Sequence, residues 1–342
     1  MDSGKSSSMH VIITGGAGYI GSLLTGLLLE RGHRVTVVDS LLFGGESLLA
    51  YMHHPRFHFA KADVCEPDAV APFLGGAEAE RTCVVHLAAI VGFPACQAVG
   101  DAVARRYNVE SLQRVFEQSE EAGVERLVFS STYSNYGLAA DGKPVDETSE
   151  LNPQSTYAET KIEGEQFLLD RAKDSSTSPI IFRFATLFGI SPRTRFDLIV
   201  NQFVLEALTK RKLLIYQKGY ARAFVHVSDI CQAIGLALDA PLDLVRAEIF
   251  NVGSDDGNFT KDEIVRLVQD HIAGVEVEYK DLSFGGDMRD IRVSFAKIAR
   301  VLGFETRVSV ADGICEVRDA IVDGLLSDPN GRNHRNAEFI VQ

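Results

Sequence analysis

Val11-Ile12-Ile13-Thr14-Gly15-Gly16-Ala17-Gly18-Tyr19-Ile20-Gly21-Ser22, followed by an apolar stretch to Leu29 and then Val35-Thr36-Val37-Val38-Asp39, decides how the chain is read. An apolar, β-branched run leads into a glycine-rich turn. Helix-periodic apolar residues follow, and a second apolar run ends in a carboxylate. The order reads as a buried parallel strand, a tight turn, an amphipathic helix and a second buried strand, joined in one right-handed βαβ unit.

The glycines have separate physical tasks. Gly15 lets the chain leave the strand with an unusual φ, Gly18 leaves room for a pyrophosphate against the backbone, and Gly21 lets the helix pack close on the strand. The first N–H groups of the helix then face the phosphates, with Tyr19 and Ile20 among them. Asp39 falls where the second strand ends, so its carboxylate can bind the hydroxyls of an adenosine ribose. Ser40, Leu41, Leu42 and Phe43 follow it without a basic residue, and a carboxylate there repels a 2′-phosphate, so the pattern favours NAD over NADP. The expected fold is α/β: a Rossmann-type doubly wound parallel sheet with a smaller carboxyl-terminal α/β substrate domain.

Composition narrows the class further. At 342 residues the chain can hold one large domain or two smaller ones. No apolar run approaches membrane-spanning length, so no membrane partner is expected. The leader Met1-Asp2-Ser3-Gly4-Lys5-Ser6-Ser7-Ser8 lacks an apolar signal core, which points to a cytoplasmic protein. Five cysteines (Cys65, Cys83, Cys96, Cys231 and Cys315) are scattered without a C-x-x-C pair, and nine histidines are equally dispersed, so neither disulfides nor a metal site is expected. A net charge of −13 disfavours nucleic acid as a partner.

Farther along, Arg56 to Ala60 reads as a third strand, and Asp63-Val64 just beyond it is placed to reach an adenine, or else to cap a helix. Thr82 to His86 is a strand running into Leu87-Ala88-Ala89, small residues that let backbone approach a cofactor. A helix is expected from about 101 to 122, with Asn108 in its middle. Arg126 to Ser130 is another buried strand, and Ser131-Thr132-Tyr133-Ser134-Asn135-Tyr136-Gly137 at its end is either a hydroxyl cluster placed for chemistry or a polar turn. In Asn152-Pro153-Gln154-Ser155-Thr156-Tyr157-Ala158-Glu159-Thr160-Lys161, the Asn and Pro mark a helix start, and Tyr157 and Lys161, four apart, share a face. Pro179 to Thr186 is a sixth buried strand. A helix around 201–209, short strands at 213–216 and 223–227, a helix at 228–238 that Ser228-Asp229 can cap, and a strand at 249–253 returning to the main sheet follow. The polar tail from Ser327 reads as loose.

Once the glycine turn, the Thr132 strand and Tyr157-x-x-x-Lys161 stand together, the chain resembles the extended short-chain dehydrogenase/reductases that act on nucleotide sugars. The likeness spans nearly all of residues 9–325 and includes Asp63-Val64, Asn108-Val109, Ser130 to Gly137 and Arg222 to Asp229. It implies a nicotinamide-binding domain over 9–185 with returning segments at about 223–253, a substrate domain from 186–222 and 254–326, and tails at 1–8 and 327–342. It also implies a homodimer through helices around 101–121 and 153–171.

The same resemblance implies roles. Tyr157 serves as base, its phenol (ordinarily near ~10) lowered by the Lys161 ammonium. Lys161 also holds the nicotinamide ribose, and Thr132 bonds the reacting sugar oxygen. Dehydratases of this family carry an Asp-Glu pair directly after this Thr, and decarboxylases a Glu two places on. Here Tyr133 and Ser134 follow, which points to the 4-epimerases of UDP-sugars. These remove hydride from C4 and return it to the other face of a 4-keto sugar. Thr132, Ser134, Thr186 and Arg193 resemble the UDP-glucuronate 4-epimerases, with Arg193 read toward the C6 carboxylate and the diphosphate or the surface as its alternatives. Asn201, Arg222 and Arg289 are the expected nucleotide-diphosphate contacts, Arg289 without its usual arginine-containing flank. UDP-glucose epimerisation, 4-ketoreduction and a non-catalytic NAD-sensing scaffold are the rival functions.

Overall fold

The computed structural model describes residues 8–75, 81–138, 143–216, 218–280 and 290–336. Most of the leader, the last six residues and Arg289 therefore lie outside the described residues. Seven strands make the main sheet: β1 (Met9–Thr14), β2 (Arg34–Asp39), β3 (Phe57–Lys61), β4 (Arg81–His86), β5 (Arg126–Thr132), β6 (Ser178–Phe184) and, after three strands elsewhere, β10 (Glu248–Val252). Their order is β10-β6-β5-β4-β1-β2-β3, and each neighbouring pair is parallel. β1, β5 and β6 are buried over nearly every residue because helices cover both faces of the sheet. This is the Rossmann-type doubly wound sheet.

The order reverses between β1 and β4, whose carboxyl ends meet in register at Thr14 and His86. A crevice outside those ends is the natural ligand site of such a sheet. Gly15 turns out of β1 with φ +72°, and a Cβ on it would lie 2.7 Å from the backbone nitrogen of Ala88. Gly21 lies in α1 (Tyr19–Glu30), where a Cβ would come within 2.5 Å of the Gly16 Cα. Its close approach is thus to the glycine turn itself and not to the strand, as the sequence suggests.

The remaining strands lie apart. β7 (Thr186–Phe188), β9 (Ala221–His226) and β11 (Asn258–Thr260) form one small sheet, and β8 (Lys212–Tyr216) with β12 (Glu276–Lys280) another. They share a separate apolar core that includes Phe188, Phe196, Val204, Phe224, Ile264 and Ile314.

Several elements differ from the sequence reading. The helical run from Asp101 is broken by a π turn at Arg106–Glu110 before resuming at Ser111–Glu121, and Asn108 sits in that wide turn. The helix carrying Tyr157 spans Thr156–Arg171, and its cap is Ser155, whose hydroxyl accepts the Ala158 N–H, while Asn152 and Pro153 stay outside. The helix Val227–Asp239 is capped by His226 through the Ser228 N–H, and not by Ser228 or Asp229.

The tail expected to be loose is pinned as far as Asn336. The Phe196 N–H donates to the His334 carbonyl at 2.8 Å, His334 Nδ1 meets the Thr194 carbonyl at 2.7 Å, and the Asn336 N–H donates to Asp197 Oδ2 at 3.0 Å. Backbone and side-chain partners, invisible in a polar sequence, hold it.

Candidate functional site

A cleft of about 1250 Å³, its open mouth included, lies at the crevice between β1 and β4. Its lining runs from the glycine turn past the ends of β2 and β3 to Thr132 and Tyr157, a span that suits an extended ligand such as a dinucleotide. Gly15, Gly18, Tyr19, Ile20 and Gly21 line one wall, with Asp39, Asp63, Val64, Leu87, Ala88 and Ala89 around them. α1 has neither a side-chain cap nor an acidic residue in its first turn, so its leading N–H groups are open to an anion. The donor set fits a dinucleotide diphosphate, with Asp39 placed for a ribose.

Asp39 is held by two backbone donors, Ala17 N–H at 3.0 Å and Leu41 N–H at 2.7 Å. Burial raises its carboxyl above the usual range, and those two bonds and the Arg193 charge pull the other way. Asp63 accepts the Cys65 N–H at 2.9 Å and the Tyr107 hydroxyl at 2.9 Å. Asn108, which the family resemblance puts among the cofactor-binding residues, is instead buried behind the cleft. Its carboxamide accepts the Ile90 N–H at 2.8 Å and donates to the Ile90 carbonyl at 3.1 Å and to Thr160 Oγ1 at 3.1 Å. It shapes the wall through Ile90, which does line the cleft.

Thr132 and Tyr157 line the same cleft. Thr132 ends β5, and its hydroxyl donates to Ser134 Oγ at 3.0 Å and accepts the Ser134 N–H at 3.1 Å. Lys161, one helical turn beyond Tyr157, is 2% exposed and its ammonium sits 4.7 Å over the Phe129 ring. Burial pushes it down to about 8, with Cys96 and Glu165 opposing.

Beneath this surface lies a polar network that the sequence reading missed. Arg183 Nη2 reaches Glu165 Oε2 at 2.6 Å and Arg183 Nε reaches Oε1 at 3.0 Å, while Ser131 and Asn135 donate to the same carboxylate. Arg183 Nη1 also donates to the Tyr136 hydroxyl at 2.9 Å, which donates to Asn251 Oδ1 at 2.8 Å. An arginine between Phe182 and Phe184 in a fully buried strand was the available signal, since a buried charge requires a partner.

The expected sugar-side residues do not assemble as one group. Thr186 is bonded to the Tyr133 hydroxyl at 2.8 Å, and neither it nor Ser134 lines the cleft. Asn201 uses its carboxamide on Gly189 N–H, the Gly189 carbonyl and the Arg195 carbonyl, so it braces the 189–195 loop and has no N–H donor left for a diphosphate. Arg222 is buried on β9 opposite Phe259, away from the cleft.

Arg193 does line the cleft, but not in a group with Ser134 and Thr186. Its guanidinium lies 4.0 Å over the Phe43 ring and donates from Nη1 to Asn336 Oδ1 at 2.7 Å. Burial and then the Arg195 charge push it down to about 9, against Asp197 and Asp39. Arg195, Leu42, Phe43 and Asn336 are lining residues to which the sequence reading gave no binding role. Arg195 forms a bidentate ion pair with Asp197 at 2.9 and 3.0 Å, and its charge is felt by Tyr19 and Tyr157. Among the described residues no cluster suits a metal ion and no helix is long and apolar enough to cross a membrane.

Comparison with known proteins places this geometry. Residues 11–253 match the NAD dependent epimerase/dehydratase family. An uncharacterized UDP-glucose epimerase of Bacillus subtilis is 30% identical over 317 residues, covering 90% of this chain and 96% of that protein. The dTDP-glucose 4,6-dehydratase DesIV of Streptomyces venezuelae, solved with NAD bound, superposes with a TM-score of 0.80 at 28% identity, covering 92% of this chain and 98% of the other. The UDP-glucuronic acid 4-epimerase of Bacillus cereus shares the fold, with a TM-score of 0.81 at 23% identity over 92% of this chain and 99% of the other.

Proposed function

The chain belongs to the NAD-dependent epimerase/dehydratase family, and on that premise we propose that it inverts C4 of a UDP-sugar through a transient 4-keto form, with UDP-glucuronate and UDP-galacturonate as the pair. One observation carries the choice of epimerisation. Among the described residues, the acidic ones lining the cleft are Asp39 and Asp63, at and just past the ends of β2 and β3, and Thr132 is followed by Tyr133 and Ser134. Elimination of water needs an acid and a base beside the reacting carbons. C4 inversion needs only the Thr132, Tyr157 and Lys161 set.

In this reading Tyr157, as phenolate, takes the proton of the 4-hydroxyl. The Lys161 ammonium favours that anion, and Thr132 fixes the sugar oxygen by a hydrogen bond. NAD⁺, when bound, supplies a reversible hydride acceptor. The same tyrosine returns the proton once the sugar presents its other face.

The hexuronate choice rests on Arg195. Asp197 takes its Nε and Nη2, which leaves Nη1 as the donor for a sugar carboxylate near Tyr157. Arg193, assigned this task by the sequence, is turned to Phe43 and Asn336 instead.

Proton NMR of UDP-glucuronate with the purified protein, without added reductant, tests the proposal. UDP-galacturonate should appear. Conversion of UDP-glucose to UDP-galactose alone would replace the hexuronate, and formation of a 4-keto-6-deoxy sugar or loss of CO₂ would overturn epimerisation.

A further inference from the structure

Arg193 makes no ion pair among the described residues, although the Asp197 and Asp39 charges favour its protonated form. It is 6% exposed, its Nη1 is satisfied by Asn336, and its Nε and Nη2 have no hydrogen-bond partner among the described residues. Leaving buried guanidinium donors unpaired is costly, and a charge-assisted bond to an anion is the ordinary remedy. The neighbouring Arg195 adds repulsion, and Asp197 is already engaged by Arg195. The site therefore calls for an anion.

The backbone shows where that anion must lie. Ser191, two residues before Arg193, donates to the Tyr19 carbonyl at 2.6 Å, and its oxygen is 3.1 Å from Ser22 Oγ. The Arg193 N–H donates to that same Ser191 oxygen at 3.3 Å, and the Tyr19 hydroxyl donates to the Gly189 carbonyl at 2.8 Å. The 189–194 loop is thus bolted to the first turn of α1. That turn presents the uncapped N–H groups suited to a diphosphate.

We propose that Arg193 is the side-chain counter-cation of the dinucleotide's diphosphate, and that Asn336 is a positioning residue by which the carboxyl-terminal segment latches the bound cofactor. The aromatic face of Phe43 fixes the plane of the guanidinium from one side and Asn336 fixes its Nη1 edge, so Nε and Nη2 are presented as a fork. In this role Asn336 acts on the cofactor through Arg193. The inference rests on the dinucleotide reading of the cleft, independent of the sugar.

Wild type, Arg193→Gln, Arg193→Lys and Asn336→Ala are compared by two readouts. One is the NAD content of the purified proteins, released by heat. The other is the affinity of NAD-depleted protein for ADP against adenosine, which lacks the diphosphate. Arg193→Gln should lose about tenfold to a hundredfold in ADP affinity, as for a hydrogen-bonded charge, with adenosine unchanged and the NAD content reduced. Asn336→Ala should show a smaller loss of the same kind, and Arg193→Lys an intermediate one.

Unchanged ADP affinity in Arg193→Gln overturns the assignment, and so does a selective loss of UDP-glucuronate against UDP-glucose with NAD retained. Should Arg193→Gln fail to fold, the other two variants decide: an unaltered ratio of ADP to adenosine affinity in both overturns it. A wild-type protein that inverts no sugar refutes the function proposed above, while loss of ADP affinity in Arg193→Gln still supports this role.

Discussion

Thr132 and Ser134 hold one another, the Thr132 hydroxyl donating to Ser134 Oγ at 3.0 Å while it accepts the Ser134 N–H at 3.1 Å. To bond a sugar oxygen, Thr132 must give up its donation to Ser134, but the backbone N–H keeps its lone pair in place. Thr132→Val should lower kcat by about a hundredfold or more, the scale of a lost proton-transfer group. Ser134→Ala, which leaves the backbone bond intact, should cost much less. Rates of C4 inversion followed by NMR check both.

Tyr157→Phe removes the only proton-accepting atom proposed at the sugar. Turnover should fall by orders of magnitude while NAD stays bound, and unchanged turnover would sink the role.

Lys161 makes the rate depend on pH from the alkaline side. Its ammonium is pushed down to about 8, so the charge that favours the Tyr157 phenolate is present below that pH and lost above it. The kcat profile should fall above about pH 8, and Lys161→Arg, which keeps its charge, should remove that limb. Stability runs the opposite way. Between about 8 and the ordinary 10.5 the unfolded chain holds a proton that the native chain lacks, so unfolding free energy should rise with pH across this window in wild type and stay flat in Lys161→Met.

Glu165 and Arg183 are both 3% exposed in their side chains. Removing one partner leaves the other charge buried, a loss of about 3–5 kcal/mol. Urea unfolding of Glu165→Leu should show it. Glu165→Leu combined with Arg183→Met should recover most of the loss, because no charge is then stranded.

Ending the chain after Gly331 should lower the melting temperature by several degrees and reduce bound NAD. It removes the His334 and Asn336 bonds to Phe196, Thr194, Asp197 and Arg193. A purely solvated tail would leave both quantities unchanged.

The sheet was legible because its signals are local. Glycine spacing, apolar runs and the Asp39 strand end each depend on a few consecutive residues. The sugar side was much less so, because Asn201, Arg193 and Arg195 are polar residues in one loop whose tasks depend on partners far away in the chain. Asn201 found backbone, Arg195 found Asp197, and Arg193 found a tail residue 143 positions distant. Cap positions slipped for the same reason, since Asn152, Ser155 and Thr156 are all plausible starts and only geometry selects Ser155. The Glu165–Arg183 pair was hidden in a different way: each residue looks solvent-facing by type, and only the buried strand around Arg183 argues otherwise.

The bolts between the 189–191 loop and α1 join residues 169 to 172 positions apart. Contacts of that reach must close a long chain loop before they return any energy, so they form late in folding. The β1–α1 unit has its glycine turn spelled out in a few consecutive residues. Its cofactor cradle nonetheless stays unfinished until Asn336 has docked on Arg193, so during refolding the affinity for NAD should appear only with that late closure.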